Sequence, residues 1–118
     1  DKIFLPAIDF GDLNARTMGG IKTTDDYRRI LEKLTEGLGF EKADNMHVHF
    51  SKIEYSKGGE VKHLTFEDEI FGPEFEPLAV AVVEYGLHPV FICESDDTQA
   101  KDAVEMKNIF EKVKKETV

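Results

Sequence analysis

Met46-His47-Val48-His49-Phe50-Ser51-Lys52 is the stretch on which the fold reading turns. Apolar and imidazole side chains alternate, so as a strand it sends Met46, Val48 and Phe50 to one face and His47 and His49 to the other. Two histidines on one strand face are costly to bury unless something binds them. Two other strand-like runs end in a carboxylate: Ile3 to Asp9 before it and Val90 to Glu94 after it. With the three strands side by side and parallel, Asp9, His47 and Glu94 converge at one end of a sheet, His47 lying deeper in its strand than the other two. That is a ligand set for a divalent metal.

Helical spacing fills the gaps between these strands. Thr23 or Thr24 is placed to cap a helix, with Asp25 and Asp26 favourable in its first turn. Tyr27, Ile30, Leu31, Leu34 and Leu38 form its apolar stripe, and Gly37 and Gly39 mark the stop. Gly11 to Lys22, with three glycines, reads as a long loop. Ile53 to Tyr55 and Val61 to Leu64 flank Gly58-Gly59 as a short hairpin. Pro77 suits the first turn of a helix carrying Phe75, Leu78, Ala79, Val82 and Val83, which Gly86 ends. Ser95-Asp96-Asp97-Thr98 caps a last helix whose stripe is Ala103, Met106, Phe110 and Val113. The βα alternation predicts a parallel sheet. The strand parity that carries the ligands is itself apolar, with Ile3, Leu5, Ala7, Val90 and Ile92. That face wants a cover the chain does not encode, and with two open sheet edges it predicts self-association.

Composition narrows the function classes. The chain has 118 residues, one domain at most, and 15 basic against 24 acidic side chains give a net charge of −9. It should repel nucleic acid at long range, so any DNA contact needs a local basic patch. Lys52, Lys57, Lys62 and His63 on the hairpin supply the most basic local cluster; a solvated charged edge that resists aggregation explains it equally well. Cys93 is the sole cysteine, which suits a reducing cytoplasm, and no apolar run approaches a membrane span. Asp1-Lys2 leads straight into Ile3-Phe4-Leu5, so the chain reads as a piece of something longer, or as a processed or engineered start.

Singly, each ligand candidate has a plainer role: Asp9 as a partner of its glycine loop, Glu94 beside the last helix, His47 as a satisfied core histidine. Jointly, a carboxylate, an imidazole and a carboxylate on three successive strands argue for zinc, manganese or another borderline ion.

The sequence resembles the xylose isomerase-like superfamily of TIM barrels, and within it the endonuclease IV group of apurinic/apyrimidinic endonucleases. His47-Val48-His49-Phe50-Ser51-Lys52 is similar to that group's His-Leu-Asn-Asp-Ser-Lys strand, at the histidine and the Ser-Lys pair. Ile8-Asp9-Phe10-Gly11-Asp12 resembles its Ile-Asp-x-x-His stretch, and Ile92-Cys93-Glu94-Ser95 resembles the strand that ends in a ligand glutamate. The resemblance implies that residues 1–118 are the C-terminal part of a (β/α)8 barrel: its last three βα units, with a β-hairpin insertion after the second strand. It implies one zinc held by Asp9, His47 and Glu94, with Glu94 also the catalytic carboxylate. A second ion would use the position of Asp12, where the family has histidine, and a later Asp-x-His pair of which His63 survives, with Glu60 one place off. Ser51 and Lys52 would meet a phosphate. The implied activity is cleavage of DNA phosphodiesters at abasic sites in DNA repair. The chain alone would be inactive, needing complementation by earlier strands that carry the remaining ligands. Two alternatives stand beside it: a metal-dependent sugar or sugar-phosphate isomerase or epimerase of the same superfamily, and a non-catalytic metal-binding fragment.

Overall fold

A computed structural model describes residues 7–96 and 98–116. The expected strand residues Ile3, Phe4 and Leu5, and Asp97 of the expected cap, lie outside the described residues. In chain order the elements are β1 (Ala7–Asp9), α1 (Phe10–Arg16), α2 (Thr24–Leu38), α3 (Phe40–Asp44) and β2 (His47–Phe50). Then come β3 (Ile53–Ser56), β4 (Gly59–His63), α4 (Phe75–Glu84), β5 (Val90–Cys93) and α5 (Gln99–Glu116). β1, β2 and β5 form a parallel sheet in the order β1-β2-β5, and β3 and β4 form a separate antiparallel pair.

The expectation of three units from a TIM barrel is overturned. The described residues make a small compact α/β domain of five helices, a three-stranded parallel sheet and a two-stranded antiparallel sheet. Two local features also depart from the expectation. The segment after β1, expected as a loop from Gly11, coils at once into α1, which packs on β2 and across the hairpin. Asp9 caps that helix by accepting the Asp12 amide at 2.9 Å. Gly11 is needed for close approach, since a Cβ there would lie 2.5 Å from the Ser51 carbonyl oxygen. The second feature is α3, a short helix that joins α2 to β2 and whose Ala43 is buried.

Other elements follow their local chemistry. Thr23 and Asp26 form a reciprocal capping box at the start of α2, and Gly39 ends that helix with a φ of 89°. The end of α4 is a Schellman turn: the Leu87 amide donates to Val82 and the Gly86 amide to Val83, both at 3.1 Å, with Gly86 at φ 68°.

One face of the parallel sheet is covered. Val48 and Phe50 of β2 are fully buried and pack with Phe75, Leu78 and Val82 of α4, Leu31 of α2 and Met106 of α5. Phe75 sits at the centre of an edge-on aromatic cluster, 5.2 Å from both Phe50 and Phe91. Each such buried side chain contributes roughly 1.5–3 kcal/mol. In α5, Met106 and Val113 of the expected stripe are buried and Phe110 half-buried, while Ala103 faces outward.

The first turn of α5 is anchored through Asp102. Its buried carboxylate accepts the Phe66 amide and the Thr98 hydroxyl, each at 3.0 Å. Burial pushes this carboxyl up, but hydrogen bonds from Ser95, the Phe66 amide and Thr98 outweigh it and hold the group below its ordinary value. A carboxyl whose folded value is depressed contributes stability that is present above the unfolded value of about 4 and lost as pH falls through the lower folded value. Urea midpoints measured from neutral pH downward should therefore drop below about pH 4. In Asp102→Asn, itself less stable, that part of the acid sensitivity should disappear.

Candidate functional site

Among the described residues the other face of the parallel sheet is only partly covered, with Asp9, His47, His49, Ile92 and Glu94 half-buried, and it carries the polar groups. Strand register sets who meets whom. Ala7, His47 and Val90 lie side by side in one row, and Asp9, His49 and Ile92 in the next. The Glu94 amide donates to the Phe50 carbonyl at 2.9 Å, extending the ladder one residue past β5. Glu94 thereby shares the face of Ile92 and His49. Ala7 is exposed and Val90 keeps 52% of its surface, so the face has no lid within the described residues.

His49 and Glu94 are the closest pair on this face, with Nδ1 3.4 Å from Oε1. They are not aligned as a hydrogen bond, and Glu94 Oε1 is a buried side-chain oxygen without a hydrogen-bond partner. A carboxylate oxygen in that condition gives up its solvation for no hydrogen bond and has only the His49 ring at 3.4 Å in return, so it asks for a physical explanation. A divalent cation is one. Nitrogen and oxygen donors about 2.0–2.1 Å from a tetrahedral zinc stand about 3.3–3.4 Å apart, the separation of this pair. The pair thus has the donor chemistry and spacing of two of the four ligands of a tetrahedral zinc-class ion.

The expected trio does not gather. His47 lies one row back from the sheet end, between Ala7 and Val90, and no carboxylate is in register with it. Asp9 is in register with His49, but its Oδ1 is engaged in capping α1. Asp12, on the first turn of α1, pairs with Arg16 at 3.0 Å. Among the described residues no group of three His, Cys, Asp or Glu side chains is arranged to hold a metal ion. His49 is the residue that the sequence reading did not count as a ligand. Its signal was position: Asp9 ends β1 and Glu94 follows β5, so the histidine nearer the end of β2 is the one that meets them.

His63, at the end of β4, lies with Nδ1 2.7 Å from the hydroxyl of the fully buried Ser51. The buried hydroxyl proton finds an acceptor when Ser51 donates to Nδ1, which leaves the ring proton on Nε2. Ser51 thus orients an imidazole. Lys52 is 5% exposed. Its ammonium donates to the Phe66 carbonyl at 3.1 Å and to the Asp68 carbonyl, with the Glu74 carboxylate at 3.3 Å. That cation is already occupied. Lys57 and Lys62, by contrast, are exposed on the hairpin, as is Glu60's neighbour Val61.

Comparison with known proteins gives one relative to report. Uncharacterized protein MJ0133 of Methanocaldococcus jannaschii is 38% identical over 91 residues, covering 77% of this chain and 33% of the relative. The chain thus spans about a third of the length of the curated relative it matches. No family model and no solved structure matches the chain. No helix among the described residues is long and apolar enough to cross a membrane.

Proposed function

We propose that the partly covered sheet face binds a divalent metal, zinc or manganese, through Glu94 and His49, as part of a metal-dependent hydrolase acting on DNA phosphodiesters at abasic sites. The observation that carries the metal is the buried, unpartnered Oε1 of Glu94 beside the His49 ring. The resemblance of Ile8 to Asp12, His47 to Lys52 and Ile92 to Ser95 to endonuclease IV stretches supports the substrate. It rests on side chains and not on a barrel, which this fold is not. When bound, such an ion supplies Lewis-acid polarisation and a water of lowered pKa. Glu94 and His49 would hold the ion, and Asp9 lies in the same row as His49 on the neighbouring strand. Exposed Lys57 and Lys62 give an acidic chain a local attraction for a phosphate backbone. Cys93, free and without a second cysteine to pair with, suits a cytoplasmic setting.

A sugar or sugar-phosphate isomerase is the second reading, and the state of Lys52 favours it. An ammonium enclosed by two carbonyls and a carboxylate is not free for a phosphodiester, whereas a one-ion site with carboxylates suits proton transfer next to a carbonyl.

Fluorescence anisotropy separates the two. A labelled duplex with a tetrahydrofuran abasic analogue should bind the zinc-loaded chain about tenfold, or 1.4 kcal/mol, better than an intact duplex. Chelation of the metal, or Glu94→Gln, should remove that preference. Equal affinity for both duplexes counts against the hydrolase. Metal-dependent displacement of a dye by a ketose phosphate would support the isomerase instead.

A further inference from the structure

We infer that the groove between β5 and α5 is a self-association surface whose occupant is α5 of a second copy of this chain. Among the described residues β5 pairs with β2 on one side only, and between β5 and α5 lies a groove of about 390 Å3. Phe91, Ala103, Met106 and Phe110 form its floor, and Lys107 and Glu111 stand on its rim. The α5 contributors recur at helical spacing, so the groove presents one continuous stripe of the 18-residue helix. Ala103 is small enough to let a second helix approach closely. Val104, one turn before Lys107, keeps 59% of its surface exposed, extending the apolar area beyond the groove.

Charge selects the occupant. The chain as a whole is at −9, which opposes self-association, but α5 carries five lysines against four carboxylates and is close to neutral. It is therefore where two copies approach with little repulsion. Lys107 and Glu111 are one turn apart and make no ion pair with any described residue. In a two-fold contact residue i meets j while j meets i. An antiparallel crossing of two α5 helices centred between these positions sets each Lys107 against the partner copy's glutamate at 111, twice. The rim is complementary to itself, and the floor supplies the apolar centre.

Sedimentation velocity over a broad concentration range tests this on the intact chain. The native chain should form a dimer. Lys107→Glu should weaken it roughly tenfold or more by placing like charges together, and the swap Lys107→Glu with Glu111→Lys should restore it. Both positions are exposed, and circular dichroism would verify the fold of each variant. Val90→Glu, on the open sheet face, should leave the dimer intact. A monomer at all concentrations overturns the inference. So does a dimer indifferent to Lys107→Glu, or one lost with Val90→Glu, which would place the contact on the sheet.

Discussion

Lys52→Met should unfold at a urea midpoint low enough to represent a loss of about 3 kcal/mol, with the slope of the transition unchanged. Methionine keeps most of the aliphatic volume, so the loss comes from the ammonium. In the native chain that group sits at 5% exposure and supplies donors to the Phe66 and Asp68 carbonyls. Removing it leaves two carbonyls of half-buried residues without their donor, and each costs about 1–3 kcal/mol where water does not replace it. The Glu74 partner adds little, because its side chain is 61% exposed and water screens the pair. Phe66 and Asp68 flank the start of the segment that leads into α4, and the Ile53 amide meets its far end at Gly72. Lys52 therefore fastens this segment to the end of β2. Against a typical total of about 5–15 kcal/mol, the loss is large. A change under about 1 kcal/mol would mean that both carbonyls reach water without it.

Lys52 also shows where the sequence stopped being informative. Read along the chain, it is a cation in the most basic cluster of an acidic protein, hence a candidate for a phosphate. Burial is decided by what folds back over it, and its carbonyl partners come 14 and 16 residues later. Composition does not carry that information. Features whose partners are local were legible: the Thr23 cap with Asp26, the Gly58-Gly59 hairpin, the Gly86 stop and the alternation of β2. The two-faced character of the sheet was legible for the same reason, since parity needs only one strand.

Register between strands was not legible, and the site depends on it. Asp9 faces His49 and not His47 because β1 and β2 pair with Ala7 opposite His47. A shift of two residues would have preserved every face assignment and exchanged the histidines. α1 was missed because its glycine was read as a loop signal. Gly11 is small so that the helix can rest on the end of β2, and the cap signal is the Asp9 carboxylate, which the sequence offers equally as a metal ligand or as a partner of its own glycine loop. The barrel expectation failed at the same point. The chain turns α1 onto the hairpin and closes a small domain of its own, a three-stranded parallel sheet beside a separate antiparallel pair.

The divalent site is open to a direct test by thermal melting and calorimetric titration with zinc. An ion that binds the folded chain alone stabilises it by roughly 2.7 kcal/mol at a hundredfold excess over its Kd. For a domain of this size that is a rise in Tm of roughly 10 °C or more. Glu94→Gln keeps the shape and removes the charge, and His49→Ala removes the nitrogen; each should abolish most of the rise. His47→Ala, one row back, should retain it. The native chain should take up zinc with a stoichiometry of one and melt higher, and Glu94→Gln should do neither. A native chain that zinc leaves unchanged, or a Glu94→Gln variant that responds as fully as the native one, would contradict the assignment of this sheet face to a metal.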